Sequence, residues 1–212
     1  MSNLQEKLWK DKFGSEYTDE NMFNPFSLNN NYKEKYGITR EELNFRFIAG
    51  LNIMEGNILE IGCNVGSQLN LLQKMGFKRL YGIEFQEYAI EKSKKFTEKI
   101  NIIYGLADDS PFKDNYFDLV FTSDLLTYIE PENIGKVMNE IHRCSNKFIW
   151  GFESYNSIYT EVNKNSEMGN KWKGNFSKIY MDKFTDLTLV KEDFYSSKDD
   201  KNKKVMYLLK KK

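Results

Sequence analysis

Residues 58–69 read ILEIGCNVGSQL, and this stretch decides the fold of the chain. An apolar run ends in the acid Glu60 and the glycine Gly62, a second glycine follows at position 66, and apolar periodicity continues to Leu72. This order is typical of a strand, a tight turn and a helix, the place where open α/β sheets hold nucleotide-like ligands. The next apolar run ends in a second acid, Glu84, about 20 residues past the first glycine, a spacing that predicts contact with ribose hydroxyls.

The glycines of this turn do not complete the pattern of a dinucleotide site. A G-x-G-x-x-G fingerprint that starts at Gly62 needs two more glycines, where the chain has Asn64 and Ser67. Asn64 can still adopt a positive φ, but its side chain would crowd a pyrophosphate. Glu60 places a carboxylate at the strand end, where it would repel a diphosphate and attract an amino group or a sulfonium. The turn alone also remains compatible with a strand–helix connection that binds no ligand.

A regular alternation of strands and helices predicts an α/β fold with a mostly parallel sheet. We expect strands near residues 57–62, 80–84, 101–104, 117–122 and 147–152, and helices near residues 66–75, 87–98 and 132–143. Parallel strands joined by right-handed crossovers place all ligand loops at the carboxyl ends of the strands. Two more apolar runs, over residues 187–195 and 204–209, flank a short polar turn and predict a C-terminal antiparallel hairpin.

The first 52 residues predict an N-terminal helical cap over the ligand side of the sheet. Apolar residues recur at helical spacing between Asn3 and Phe13, and Thr39 with Glu42 forms a capping box that starts another helix. The asparagine-rich segment 24–32 predicts an irregular loop between these helices. We therefore expect a single domain over residues 1–212, with the cap at 1–52 and a Rossmann-like core at 53–212.

Composition limits the class of protein. Lys plus Arg and Asp plus Glu number 31 each, and this neutrality argues against a protein that grips nucleic acid through many phosphates. Only two cysteines occur, Cys63 and Cys144, which favours a reducing cytoplasm over a disulfide framework. Neither a signal peptide nor a transmembrane run is expected, nor a metal site, because no Cys/His cluster has ligand spacing. The sole histidine, His142, is expected on a solvated helix face.

As a set, these motifs resemble the class I S-adenosylmethionine (SAM) dependent methyltransferases. Residues 60–66 resemble the first motif of that family, and Glu84 resembles the ribose acid of its second motif. Residues 105–112, GLADDSPF, resemble the loop that lies along the adenine, and residues 116–131 resemble the fourth strand with its "LxxIxP" turn. The resemblance covers residues 57–150. It implies a Rossmann-like sheet of seven strands, SAM as cofactor and methyl transfer as activity.

A narrower resemblance, to the methyltransferases associated with pseudaminic acid biosynthesis, spans nearly the whole chain. It rests on residues 9–21, 145–156 and 171–190. It implies that the methyl acceptor is a small polar molecule, a sugar or a nucleotide-linked sugar. The chain departs from that family at Tyr128, where the family has His, and at residues 163–168, where an Arg-Gly-His segment is replaced. Both departures lie where the acceptor should sit, so the acceptor can differ from that of the family.

The resemblance and the strand ends together assign roles to individual residues. The cofactor-binding candidates are Tyr17, Asn21, Arg46, Glu60, Gly62, Cys63, Asn64, Gly66, Glu84, Phe85, Ala107, Asp108 and Ser123. On the acceptor side lie Asp124, Tyr128, Glu153 and Tyr155, of which the last three are the catalytic candidates. Glu153 is expected to act either as a general base or as an anchor for the following loop. Arg46 is expected either to pair with the cofactor carboxylate or to lie on a helix surface.

Two other functions stay open on the sequence alone. The acceptor is a protein side chain or tRNA in one of them, although the neutral charge weakens the tRNA version. In the other, the domain binds SAM and regulates without catalysis, which the presence of Glu60, Glu84 and Asp108 argues against.

Overall fold

The fold is that of a computed structural model, which describes residues 3–162, 170–198 and 203–212. The strands are β1 (Asn57–Ile61), β2 (Arg79–Glu84), β3 (Asn101–Tyr104), β4 (Phe117–Ser123), β5 (Ser145–Tyr155), β6 (Thr160–Val162), β7 (Lys171–Lys173), β8 (Leu187–Ser196) and β9 (Lys203–Lys211). The helices are α1 (Asn3–Lys10), α2 (Lys12–Glu20), α3 (Pro25–Tyr36), α4 (Arg40–Ile48), α5 (Ser67–Lys74), α6 (Glu87–Phe96), α7 (Pro131–Cys144) and α8 (Phe176–Lys183). One turn of 3₁₀ helix, Leu126–Tyr128, follows β4.

Seven strands form one sheet in the order β3-β2-β1-β4-β5-β9-β8. The first five are parallel, and β9 lies antiparallel between β5 and β8. The predicted α/β class, the mostly parallel sheet and the C-terminal antiparallel strand pair are therefore confirmed. A separate antiparallel pair, β6 with β7, was not predicted. The carboxyl ends of β1, β2 and β4 lie at one edge, as the alternation of elements requires.

Helices cover both faces of the sheet and bury two apolar layers. Ile58 and Leu59 are neighbours in β1, and both are fully buried. They point to opposite faces, since side chains alternate along a strand. Ile58 packs in a cluster with residues of α3, α4 and α5, whereas Leu59 packs in a second cluster with residues of α7 and α8. Burial on both sides explains why the strand is an almost unbroken apolar run.

The prediction of an irregular loop over residues 24–32 is wrong, because this segment forms the start of α3. Asn24 caps the helix, and its side-chain oxygen accepts hydrogen bonds from the backbone of Phe26 and Ser27. A proline occupies the first helical position, and Gly37 ends the helix with a φ of 76°. Of the asparagines that suggested a loop, Asn24 supplies the cap, Asn30 is exposed, and Asn29 and Asn31 are half-buried.

The capping box predicted at Thr39 is present at the start of α4, with Thr39 and Glu42 exchanging backbone and side-chain hydrogen bonds.

His142 was predicted on a solvated helix face, but the structure places it against neighbouring side chains. Its ring stacks on Phe184 with a centroid distance of 4.1 Å, and its Nε2 lies 3.0 Å from the carboxylate of Asp186. Among the described helices, none combines the length and apolar character needed to cross a bilayer.

Candidate active site

A cavity opens at the carboxyl ends of β1, β2 and β4, and residues of α1, α2 and α3 form its opposite wall. It collects most of the predicted site residues. Those that line it are Tyr17, Asn21, Glu60, Gly62, Cys63, Asn64, Glu84, Phe85, Ala107, Ser123, Asp124 and Tyr128. Residues far apart in the chain therefore meet at one place, as the convergence of parallel strand ends predicts.

The turn after β1 is built by three residues with positive φ. The φ angles of Gly62, Asn64 and Gly66 are 71°, 50° and 84°. A Cβ atom on Gly62 would lie 2.7 Å from Leu125, so glycine is required there for space as well as for φ. Asn64 makes the turn as the sequence suggested, and its Oδ1 accepts a hydrogen bond from the backbone of Val65 at 2.7 Å.

Glu84 is fixed at the end of β2 by backbone donors from both loops. Its Oε2 accepts from the Asn64 N–H at 2.9 Å, and its Oε1 accepts from the N–H groups of Phe85 and Gln86 at 2.9 and 3.0 Å. Burial raises the pKa of this carboxyl, while the three backbone donors act to lower it. Oε2 accepts only one of these bonds and keeps a further lone pair, so Glu84 can also accept a ligand hydroxyl from the cavity that it lines.

Glu60 is buried with one oxygen that has no partner in the described part of the chain. Its side chain is 3% exposed, it lines the cavity, and its Oε2 accepts no hydrogen bond there. Burial raises the pKa of Glu60 well above its ordinary value, although the Arg40 guanidinium opposes this and Glu84 adds to it. A buried acceptor left open is costly unless a ligand donor meets it. Glu60 therefore fits a ligand with a cationic donor group, such as the amino group of SAM.

The N-terminal helices are hydrogen-bonded to both of these loops. The Thr18 hydroxyl donates to Gln86 Oε1 at 2.7 Å and accepts from Asn64 Nδ2 at 3.0 Å. Gln86 Nε2 in turn donates to the carbonyl oxygen of Trp9 at 2.9 Å. Sequence reasoning missed Thr18 and Gln86, because no local pattern relates residues that lie 68 positions apart.

Three aromatic rings form one wall of the cavity, between the residues predicted to bind the cofactor and those predicted to face the acceptor. The ring of Trp9 meets the rings of Tyr17 and Tyr128 edge-on, with centroid distances of 5.0 and 4.9 Å. All three line the cavity, and the ammonium of Lys171 lies 5.3 Å from the centroid of the Tyr128 ring. These rings supply rigid apolar surface on the acceptor side.

The structure does not support Glu153 as a general base that touches the acceptor. Its side chain is fully buried and is not part of the cavity wall formed by the described residues. Its Oε1 accepts hydrogen bonds from the Thr122 hydroxyl at 2.8 Å and from the Leu125 N–H at 3.3 Å. Burial, assisted by the Asp124 charge, raises the pKa of Glu153 to about 8, so the group is mostly protonated at neutral pH. Glu153 anchors the loop after β4, whereas the alternative that the sequence left open was an anchor for the loop that follows Glu153 itself.

Tyr155 also lies outside the cavity wall, where its ring meets Phe194 with a centroid distance of 4.7 Å. Gly66 starts α5 behind the turn, and Asp108 follows Ala107 without joining the cavity wall, so neither is placed in contact with a ligand here. Residues 163–168, where the chain departs from the sugar-linked methyltransferases, lie outside the described residues.

The prediction that Arg46 pairs with the cofactor is not supported. The buried positions of α4 include Arg40, Leu43 and Phe47, which lie on the inward face at helical spacing. Arg46 falls on the outward face and is exposed. The arginine that lies inside is Arg40, which donates to the Tyr32 hydroxyl at 2.8 Å.

No group of three His, Cys, Asp or Glu side chains that could hold a metal occurs within residues 3–162, 170–198 and 203–212. The site consists of the carboxylates of Glu60 and Glu84 at neighbouring strand ends, the glycine turn after β1, and the wall of three aromatic rings. This combination, on a seven-stranded sheet with an antiparallel final pair, defines a class I methyltransferase fold.

Comparison with known proteins agrees with this class. Residues 59–147 match the family described as a methyltransferase domain. Over 86 residues, which are 41% of this chain and 40% of the relative, the sequence is 28% identical to an uncharacterized methyltransferase of Synechocystis sp.. The match thus spans less than half of that relative's length.

Two solved structures show the same fold. A SAM-dependent methyltransferase from Anabaena variabilis aligns with a TM-score of 0.72 at 12% identity, covering 100% of this chain and 96% of that one. The magnesium protoporphyrin IX methyltransferase of Synechocystis with bound SAM aligns with a TM-score of 0.60 at 13% identity, covering 100% and 86%. Residues 59–147 thus match a methyltransferase domain, and the two solved structures share the fold of this chain.

Proposed function

We propose that the protein transfers a methyl group from SAM to a small polar acceptor, a sugar or a nucleotide-linked sugar. The observation that carries this proposal is the unpartnered Oε2 of Glu60, buried beside Glu84 in the cavity wall of a methyltransferase fold. A carboxylate in this position suits a cationic ligand and disfavours a diphosphate. The match of residues 59–147 to a methyltransferase domain supports the same cofactor.

Within this proposal, each cavity residue takes a part of the cofactor. Glu84 accepts the ribose hydroxyls, and Glu60 meets the amino group with the backbone of the Gly62 turn beside it. Phe85 and Ala107 lie where the adenine would contact apolar surface. When bound, SAM supplies an activated methyl group on a sulfonium.

The remaining task of the protein is to orient the acceptor and to exclude water. Trp9, Tyr17 and Tyr128 surround that part of the cavity with rings that interlock edge-to-face. Holding an acceptor in line at near-attack distance supplies several kcal/mol, ~7 or more in favourable cases. The aromatic wall is a rigid device for such positioning.

A sugar acceptor is supported by the resemblance of residues 9–21, 145–156 and 171–190 to methyltransferases linked to pseudaminic acid biosynthesis. Aromatic rings such as Tyr17 and Tyr128 suit the apolar faces of sugar rings.

We also propose that residues 1–52 and 53–212 form one domain. A cytoplasmic location belongs to the same proposal and is supported by two buried free thiols, Cys63 and Cys144.

Calorimetry and a transfer screen test the proposal in two steps. SAM and S-adenosylhomocysteine should bind with micromolar affinity, whereas NAD should not bind. Labelled SAM should then pass its methyl group to a nucleotide sugar or to a small molecule of a cell extract, detected by mass. Label found in protein or tRNA would show that the acceptor is a macromolecule and not a small polar molecule. SAM binding without any methyl transfer would favour a regulatory domain. Tight NAD binding would overturn the proposal.

A further inference from the structure

We infer that Asp124, positioned by Lys204, is the carboxylate that contacts the acceptor and takes its proton. The inference rests on the proposed methyl transfer and adds to it the identity of the base. It also narrows the acceptor group to a hydroxyl, which must give up a proton as it is methylated.

Asp124 is held at the cavity by its backbone. It directly follows β4 and has a φ of 57°, a left-handed conformation that Asp tolerates better than most residues. Its N–H donates to the carbonyl oxygen of Phe152 in β5 at 2.9 Å, which fixes the residue between the two strand ends. Its side chain lines the cavity beside Leu125 and Tyr128 and retains 32% exposure.

Lys204 near the start of β9 forms an ion pair with Asp124 on the side away from the cavity. Its ammonium forms an ion pair with Asp124 Oδ1 and donates to the Ser154 hydroxyl at 3.0 Å. The lysine side chain is only 16% exposed. Burial acts to lower the pKa of Lys204, but the charge and the hydrogen bond of Asp124, with the charge of Glu153, together outweigh it, so the pKa is raised and the lysine stays cationic. The ion pair holds the Asp124 carboxylate in place.

Glu153, the other acid near this site, is unsuited to the same task. It is fully buried, it is bonded to the loop after β4, and it is mostly protonated at neutral pH. Asp124 is therefore the carboxylate on this side that both reaches the cavity and has a dedicated cation. The neutral form of Glu153 also avoids placing two negative charges next to one lysine.

The tyrosines beside Asp124 complete a site for a hydroxyl acceptor. Burial raises the pKa of Tyr17 and of Tyr128, and the negative charge of Asp124 raises both further. Both phenols therefore remain neutral, and Asp124 is the proton acceptor among the three. In the transfer, the acceptor oxygen forms a bond to the methyl carbon while the bonding pair of the methyl–sulfur bond stays on sulfur. The O–H bond breaks, and its proton passes to Asp124 and then to water.

Substitutions at Asp124 and Lys204 and one matched control test this assignment. Asp124→Asn keeps the shape but loses the base, and Lys204→Met removes the cation behind it. Asp182→Asn serves as the control, because Asp182 forms a similar ion pair with Lys178 on the exposed surface of α8. Methyl transfer is measured with the acceptor found by the wild-type screen, together with S-adenosylhomocysteine affinity and thermal unfolding.

Asp124→Asn should lower kcat about 100-fold or more, the range of a lost general base, while the affinity for S-adenosylhomocysteine changes by less than about threefold. Lys204→Met should lower kcat with little change in S-adenosylhomocysteine affinity, and Lys204→Arg should restore kcat in part. The control should behave as wild type. Asp124→Glu keeps the charge and should retain more activity than Asp124→Asn, which separates loss of the base from loss of folding.

An Asp124→Asn enzyme with wild-type kcat, or a Lys204→Met enzyme with wild-type kcat, would overturn the base assignment and leave the methyltransferase proposal intact. A wild-type protein that transfers no methyl group to any acceptor overturns the proposed function and the base assignment together. The two failures are thus distinguished by whether the wild-type enzyme is active.

Discussion

The Thr18 hydroxyl donates to Gln86 Oε1 at 2.7 Å, although 68 positions separate the two residues in the chain. This buried bond connects α2 to the loop after β2, and the same hydroxyl accepts from Asn64 in the loop after β1. One side chain of the N-terminal helices therefore holds both loops that carry the cofactor candidates. The connection is the structural basis for treating these helices as part of the site.

Thr18→Val should destabilise the protein by about 1–3 kcal/mol, because it leaves the buried Gln86 and the half-buried Asn64 without this partner. For a chain of this size, 1 kcal/mol corresponds to a fall in Tm of ~2–4 °C, measured by thermal unfolding. Ser15→Ala is the matched control, because the Ser15 hydroxyl makes only an exposed local bond to the Lys12 carbonyl. Equal Tm values for the two variants would show that the Thr18 contact does not anchor the helices.

Glu84→Gln should weaken binding of S-adenosylhomocysteine about 5- to 150-fold, the equivalent of ~1–3 kcal/mol for hydrogen bonds to a charged acceptor. Glutamine keeps the shape but removes the charge and one acceptor oxygen. Glu87→Gln is the control, since Glu87 is an exposed acid three residues later. Calorimetry measures both, and an affinity unaltered by Glu84→Gln would mean that the ribose acid is assigned wrongly.

Glu60 should lose a proton when a cationic ligand binds. Burial raises its pKa in the free protein, and an amino group next to the carboxylate would favour the charged form. SAM affinity should therefore increase with pH until Glu60 is ionised in the free protein. Calorimetry in buffers of different ionisation enthalpy should detect this proton release, and Glu60→Gln should abolish it. Wild-type binding with no proton exchange at any pH would contradict the raised pKa of Glu60 in the free protein.

Glu153 should make the stability of the protein depend on pH. Its pKa is raised from 4.5 to about 8 in the folded state, so between these values the folded protein binds the proton more strongly than the unfolded chain. The contribution of this group to the free energy of unfolding thus falls as pH rises through that window. Glu153→Gln mimics the protonated acid, so its stability relative to wild type should increase from pH 5 to pH 8, roughly across this interval. Urea unfolding at several pH values measures this, and a constant difference would refute it.

The strands and the central helices could be predicted because their apolar periods are local properties of the sequence. The site residues on strand ends, such as Glu60 and Glu84, could also be predicted, since parallel topology alone brings them together. The segment starting at Asn24 was misread because asparagine favours loops and helix caps equally. Its role as a cap depends on the proline and the buried positions that follow.

Pairings made by tertiary docking could not be predicted. Lys204 lies 80 positions after Asp124, and no local period relates the two. The outward position of Arg46 could not be predicted although α4 was expected, because it depends on which face of the helix meets the sheet. Glu153 was expected just after the fifth strand, but it lies within β5, and its burial away from the cavity is set by packing across strands.

The ion pair of Asp124 and Lys204 depends on the register of β9 against β5, because β9 runs antiparallel to β5 at this edge. Lys204 pairs with Ser154 across β5 and β9. Because side chains alternate along a strand, a slip of one residue would turn Lys204 to the opposite face and bring Val205 or Lys203 to this position. The slip that brings Lys203 here would force Lys204 into the fully buried position of Val205, and the opposite slip would leave Asp124 beside Val205 without a cation. The register of the last strand therefore sets the charge of the cavity wall at Asp124.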